Sequence, residues 1–145
     1  MQNNTKSINY STPGQFEETR FEKIHNVVFE SSIIASLIVA REIAALIREK
    51  EKLNTPCILG LATGSSPIKV YEELVRMHEE ESLSFANVIT FNLDEYYPMN
   101  KENIQSYHYF MHEHLFNHID ILPENINIPK GNVNPQDLYE YCIAY

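Results

Sequence analysis

The chain has 145 residues, a formal net charge of −9 at pH 7 and 43% hydrophobic residues. The length allows one domain or part of one, the hydrophobic content argues against disorder, and the acidic balance argues against a nucleic-acid partner. No apolar run reaches the roughly 18 residues of a membrane span, and the polar segment from Met1 to Gln15 contains no signal peptide, so we expect a cytoplasmic protein without a membrane partner.

The first part of the chain predicts a polar arm followed by a folded region. Residues 1–23 are polar and are interpreted as an N-terminal arm, with residues 24–145 forming the beginning of an α/β domain. A short apolar run at 26–29 is a candidate first strand. Ser31 or Ser32 can then cap a helix that continues to about Lys52, with apolar residues at 3–4 spacing.

Strand and helix patterns alternate along the rest of the chain. The continuous apolar run Cys57–Ala62 is typical of a strand covered on both faces, and it places Cys57 as a buried thiol. The elements predicted after it are a helix from Pro67 to about Glu81, a strand at 88–93, a helix at about 106–118, a short strand at 125–128 and a helix from about Gln136. This order predicts a parallel, helix-covered sheet of the α/β class, and the last helical pattern continues to Tyr145, as in part of a larger domain.

A small-residue loop, residues 63–66, separates the Cys57–Ala62 strand from the next helix. Gly64 permits close approach of the main chain, and Thr63, Ser65 and Ser66 offer hydroxyl groups. A helix N-terminus attracts anions, and the capping-box position holds Lys69 instead of a carboxylate if Ser66 is the N-cap. The loop is therefore a candidate phosphate site, although a simple serine-capped helix is an open alternative. The Walker A, dinucleotide and Gly-x-Ser-x-Gly motifs are absent.

A carboxylate follows the next predicted strand. Alternation places Thr90, Asn92 and Asp94 on one strand face, with Glu95 directed elsewhere. Ligands of open parallel sheets bind beyond the carboxyl ends of the strands. Asp94 is therefore a candidate general base, with a structural capping or pairing role as the alternative.

Four of the six histidines lie within eleven residues of the next helical segment. His108 and His112 are one turn apart, as are His114 and His118, but the two pairs occupy different helix faces. The zinc signature His-Glu-x-x-His is absent. Packing or surface positions are favoured over metal ligation, and no metal site is predicted.

These residues carry a resemblance to a known family. The segment Leu59–Pro67 resembles the phosphate loop of glucosamine-6-phosphate deaminases. Further similar segments follow in the same order and spacing, at 91–96, 105–108, 118–120 and 123–128, so that the resemblance extends from about residue 57 to 131.

The resemblance implies a Rossmann-like parallel sheet with helices on both faces, as in sugar-phosphate isomerases and lactonases, here truncated at the C-terminus. It implies conversion of glucosamine 6-phosphate to fructose 6-phosphate and ammonia, without a cofactor. Asp94 aligns with the enolisation base, while the substrate-phosphate loop aligns with Thr63, Gly64, Ser65 and Ser66. The partners that it implies are a sugar-phosphate substrate and, for the full-length protein, further copies of the same chain.

The chain also departs from the family pattern. Residues 97–100 replace a Gly-containing loop, and the family's Asp-Gly-His segment and later basic phosphate ligands do not occur in these 145 residues. We therefore expect the 145-residue chain by itself to be inactive. The alternatives are a catalytically silent sugar-phosphate sensor and a related phosphogluconolactonase or pentose-phosphate isomerase.

Overall fold

Helices and parallel strands alternate in the structure, a computed structural model that describes residues 27–145. The elements in chain order are α1 (Ser32–Lys52), β1 (Cys57–Leu61), α2 (Ile68–Glu81), β2 (Val88–Asn92), α3 (Tyr107–His114), 3₁₀ turns at Phe116–His118 and Pro123–Asn125, β3 (Ile126–Asn127) and α4 (Leu138–Ala144).

The strands form one parallel sheet in the order β1-β2-β3. Cys57 pairs with Val88 and Leu61 with Asn92, while Thr90 pairs with Ile126 on the other edge of β2. Parallel neighbours need crossover connections, which α2 supplies between β1 and β2. The predicted α/β class with a parallel sheet is confirmed.

Helix α1 begins and ends as the sequence predicts. The Ser31 hydroxyl accepts a hydrogen bond from the main-chain N–H of Ile34 at 3.3 Å, which is an N-cap contact. The helix ends before Asn54, which has a φ of 51°. Its residues Ala40, Ala44 and Ile47 are fully buried and lie one turn apart on the face that enters the core.

The two faces of the sheet are covered unequally within residues 27–145. Cys57, Leu61 and Val88 are buried in one apolar core with α1, α2 and α3. On the opposite face Ile58 is 64% exposed and Phe91 is 38% exposed, although the Tyr145 ring, after α4, lies 6.3 Å from the Phe91 ring. The expectation that Cys57–Ala62 is covered on both faces is therefore wrong for the described residues, because their first three helices pack on the same side.

Several boundaries also differ from the sequence prediction. Residues 27–29 form no strand. The helix predicted for 106–118 divides at Leu115, whose φ of −143° and ψ of −64° are not helical, so His118 lies in a separate 3₁₀ turn. The predicted arm at 1–23 lies outside the described residues, and the domain boundary stays a prediction. No helix between residues 27 and 145 is long and apolar enough to cross a membrane.

Candidate functional site

The two segments that the sequence singled out lie at the same edge of the sheet. Leu61 and Asn92 are paired residues at the carboxyl ends of β1 and β2. The loop at 63–66 begins two residues after Leu61, and Asp94 follows Asn92 by two residues. Parallel pairing therefore brings the candidate phosphate loop and the candidate base to the same end of adjacent strands, where ligands of such sheets bind.

The loop presents donor groups without internal partners. Gly64 has a φ of 104°, a conformation that side-chain-bearing residues rarely adopt. Among residues 27–145, no hydrogen bond is made by the main-chain N–H groups of Gly64, Ser65 and Ser66, or by the hydroxyls of Thr63 and the two serines. Such a set of free donors beside a helix start can bind an oxyanion.

The helix after the loop has no side-chain cap. Pro67 is the N-cap residue of α2 and cannot supply a capping oxygen. The provisional assignment of Ser66 as N-cap is therefore wrong, and the alternative of a simple serine-capped helix is not what the structure shows. Lys69, the nearby cation noted in the sequence, pairs with Glu72 at 2.6 Å on the helix surface.

Two side chains hold the main chain immediately before this loop. The hydroxyl of Tyr71 donates a hydrogen bond to the carbonyl of Ala62 at 2.5 Å, and burial raises the pKa of Tyr71 to about 12. The side-chain amide of Asn92 donates to the carbonyl of Leu61 at 3.2 Å. Neither contact was predicted, because neither lies within one element: the residues are nine and 31 positions apart in sequence.

Asp94 lies in an exposed turn after β2. The strand ends at Asn92, so Asp94 does not continue the buried face on which Thr90 and Asn92 lie. Its carboxylate accepts no hydrogen bond from any residue of the described part of the chain. This carboxylate therefore makes no capping or pairing hydrogen bond within residues 27–145, and its role as a general base stays a prediction.

Glu95 behaves differently from its neighbour. Its carboxylate turns back and accepts hydrogen bonds from the main-chain N–H groups of Tyr96, Tyr107 and His108, at 2.9, 2.9 and 3.0 Å. Strand alternation predicts that Glu95 points away from Asp94, and the sequence indicates no role for it. Nothing in the local pattern indicates the contact, since Tyr107 lies twelve residues further along the chain.

A cavity of about 430 Å³ opens between the loop and the start of α3. It is lined by Gly64, Tyr96, Ile104, Gln105, Ser106, Tyr107 and Phe110. The rings of Tyr96 and Tyr107 lie 4.7 Å apart, and the Tyr107 hydroxyl, followed by the Asp94 and Glu95 charges, raises the pKa of Tyr96. The sequence indicates residues 105–107 only as part of a family-like segment, and the structure adds that they line a cavity together with Gly64.

The histidines mostly contact other rings. His108 and His112 stack with centroids 4.5 Å apart, and His114 lies 4.4 Å from Phe110. Burial, with the neighbouring His112 and Lys101, lowers the pKa of His108. No group of three or more His, Cys, Asp or Glu side chains between residues 27 and 145 could hold a metal ion.

Several curated proteins are similar in sequence to this chain. No family model matches. The chain is 44% identical over 139 residues to a glucosamine-6-phosphate deaminase-like protein of Bacteroides thetaiotaomicron, covering 94% of this chain and 21% of the relative. It is 46% identical over 132 residues to glucosamine-6-phosphate deaminase 2 of Giardia intestinalis, and the match covers 90% of this chain and 48% of the relative. A glucosamine-6-phosphate deaminase of Porphyromonas gingivalis is 57% identical over 90 residues, and the match covers 62% of this chain and 34% of the relative. The chain thus spans less than half the length of these relatives.

Solved structures agree with the sequence comparison. A monomeric glucosamine-6-phosphate deaminase superposes with a TM-score of 0.74 at 40% identity, covering 81% of this chain and 46% of that one. A 6-phosphogluconolactonase of Thermotoga maritima gives a TM-score of 0.63 at 19% identity, covering 81% and 49%. The second likeness concerns the fold alone.

Proposed function

Because this chain is similar to glucosamine-6-phosphate deaminases along nearly its whole length, we propose that the full-length protein converts glucosamine 6-phosphate to fructose 6-phosphate and ammonia. The reaction combines an aldose–ketose isomerisation with hydrolytic loss of the C2 amino group, in which water supplies the oxygen of the C2 carbonyl as ammonia leaves. It belongs to amino-sugar breakdown. The proposal concerns the full-length protein, since the chain spans less than half of its relatives.

The observation that carries the proposal is the pairing of Leu61 with Asn92. Through it the donor-rich loop at 63–66 and the carboxylate of Asp94 follow neighbouring parallel strands at the same edge. A phosphorylated sugar offers an anion for the first group and an acidic C–H bond for the second. The cavity beside Gly64 gives such a substrate room to enter.

In this proposal the loop binds the substrate phosphate. The free N–H groups of Gly64, Ser65 and Ser66 and the Thr63 hydroxyl supply hydrogen bonds to phosphate oxygens. Glycine suits position 64 because its φ of 104° is a main-chain conformation that residues with a side chain rarely adopt. The phosphate then fixes the sugar relative to the end of β2.

Asp94 acts as the general base. It removes the C2 proton of the opened sugar, which gives an enediol-type intermediate, and such a base contributes about 10²–10⁴-fold to the rate. Its carboxylate is suited to this role because it accepts no hydrogen bond and forms no ion pair within the described part of the chain.

The test is turnover of glucosamine 6-phosphate by the full-length protein. Ammonia and fructose 6-phosphate are measured in parallel, and the two should form in equal amounts. A 6-phosphogluconolactone substrate is assayed under the same conditions. Lactone hydrolysis without ammonia release would favour the lactonase alternative, and binding of the amino sugar without turnover of either compound would favour the sensor.

Two further expectations belong to this proposal, namely a cytoplasmic location and assembly with further copies of the same chain. Exposed apolar side chains, such as Ile58 on the second sheet face and Leu93 just after β2, offer surface for burial. Light scattering on the full-length protein measures the assembly state, and a monomer at micromolar concentration would contradict this part.

A further inference from the structure

Glu95 caps a helix that lies twelve residues away in sequence. Its Oε1 atom accepts hydrogen bonds from the N–H groups of Tyr96 and Tyr107, both at 2.9 Å, and its Oε2 atom accepts from the N–H of His108 at 3.0 Å. The first N–H groups of an α-helix have no partner within the helix. Glu95 therefore satisfies two donors at the start of α3 and one in its own turn.

The ordinary cap of α3 leaves these donors available. Ser106 is the N-cap residue, and its hydroxyl accepts only from the N–H of Tyr109 at 3.0 Å. In a capping box, the third helical residue would be Glu or Gln and would complete the cap locally. Here that residue is Tyr109, and the carboxylate comes from the turn that carries Asp94.

Residues 96–99, which follow Asp94 and Glu95, make further contacts with the rest of the protein. The Tyr96 ring packs on the Tyr107 ring. A side chain on Gly131 would meet the Tyr96 carbonyl oxygen at 2.5 Å, and the Met99 N–H donates to the Gly131 carbonyl at 2.7 Å. These contacts hold residues 96–99 against the rest of the protein, whereas the carboxylate of Asp94 has no tie among residues 27–145.

We propose that Glu95 is a positioning residue for Asp94: by fastening the next residue of the turn to the N-terminus of α3, it sets where the Asp94 carboxylate meets the substrate. This inference rests on the proposed function. A base displaced by about 1 Å can lose about 10²-fold in rate. Glu95 has no hydrogen bond to the loop at 63–66, so its loss should affect the proton-transfer step and leave phosphate binding nearly unchanged.

The first test compares Glu95→Ala and Glu95→Gln with wild-type full-length protein. For Glu95→Ala we expect kcat to fall by about 10- to 100-fold with KM changed less than about threefold, and hydrogen exchange at C2 of the substrate to fall in parallel. Glu95→Gln should recover part of kcat, because its amide oxygen can still accept from Tyr96 and Tyr107. Glu102→Gln is the matched control, since Glu102 lies exposed on the following loop, and it should behave as wild type.

A second pair of variants tests the same contact from the helix side. Tyr107 is the first residue of α3, a position at which proline is tolerated, and Ser106 has a φ of −70° and a ψ of 149°, which suit a residue before proline. Tyr107→Pro and Tyr107→Ala both remove the ring, but only the proline removes the N–H that donates to Glu95. We expect kcat to be at least about threefold lower for Tyr107→Pro than for Tyr107→Ala.

The outcomes separate the inference from the function on which it rests. If wild-type protein releases no ammonia, the proposed function is wrong and the inference fails with it. If wild type is active and Glu95→Ala keeps the kcat of the Glu102→Gln control, or changes KM alone, Glu95 has no positioning role. If circular dichroism shows that Glu95→Ala does not fold, the comparison of Tyr107→Pro with Tyr107→Ala is the deciding test. Equal kcat values for these two variants would overturn the inference.

Discussion

The side-chain amide of Asn92 donates a hydrogen bond of 3.2 Å to the main-chain carbonyl of Leu61. Asn92 is the last residue of β2, and Leu61 is the last residue of β1. The contact therefore links the two strand ends that lead into the loop at 63–66 and to Asp94. It does so although the Oδ1 atom of Asn92 is buried without a partner among the described residues, which is a cost to folding.

We expect Asn92→Leu to separate activity from stability. The leucine removes both the tie to Leu61 and the unpartnered oxygen, so the free energy of unfolding should change by less than about 1 kcal/mol. Loss of the tie should lower kcat/KM about tenfold, because the loop and the base are no longer held in register. Denaturant unfolding and steady-state kinetics on the full-length protein measure the two effects.

Thr90→Val is the matched control for this variant. Thr90 lies on the same face of β2 and also has a buried, unpartnered oxygen, but its side chain joins no strand ends in the described structure. The valine should therefore keep full activity. If Asn92→Leu is as active as Thr90→Val, the hydrogen bond to Leu61 does not align the site.

Replacement of Gly64 tests the phosphate loop. Gly64 has a φ of 104°, so an alanine there forces the loop into another conformation or strains it by about 1–3 kcal/mol. We expect Gly64→Ala to raise KM for glucosamine 6-phosphate about 5- to 100-fold, with a similar loss of affinity for inorganic phosphate as a competitor.

Gly60→Ala is the control for Gly64→Ala. Gly60 lies in β1, four residues earlier, and a Cβ atom there meets nothing within 4 Å. This variant should bind substrate as wild type does. A Gly64→Ala protein with an unchanged KM would remove residues 63–66 from phosphate binding.

The sequence predicted the order of the helices and strands better than it predicted the contacts between them. Apolar periodicity and Ser31 located α1, and the apolar runs located β1 and β2, because these signals are local. The contacts that shape the site are not local: Asn92 reaches Leu61, and Glu95 reaches Tyr107 and His108. Alternation also suggested that Asp94 shares a face with Asn92, which is wrong because the strand ends before the carboxylate.

The ion pair between Glu73 and Arg76 predicts an acid-sensitive part of stability. Arg76 donates two hydrogen bonds to the buried Glu73 carboxylate, at 2.8 and 2.9 Å, and these bonds lower the pKa of Glu73. A carboxylate with a lowered pKa stabilises the fold above its unfolded pKa of about 4.3, and this contribution is lost as the pH falls through the folded value.

We therefore expect Glu73→Gln to lower the free energy of unfolding by about 1 kcal/mol at pH 7. The expected loss is small because Arg76 is partly exposed, so that solvent screens the ion pair. The gap between wild type and variant should close below about pH 4. Urea unfolding at a series of pH values checks this, with Glu79→Gln on the exposed face of α2 as the control. A gap that persists unchanged at pH 3 would show that packing, and not the charge of Glu73, stabilises this helix.

Hydrogen exchange at C2 of glucosamine 6-phosphate in deuterated water is the sharpest test of Asp94 as the base, because it reports proton removal apart from ammonia release. With wild-type full-length protein we expect enzyme-dependent exchange. With Asp94→Asn, which keeps the size of the side chain but removes the base, both exchange and ammonia release should fall by about 10²–10⁴-fold, while the circular dichroism spectrum stays unchanged. Undiminished exchange in Asp94→Asn would contradict the assignment of Asp94 as the base at this sheet edge.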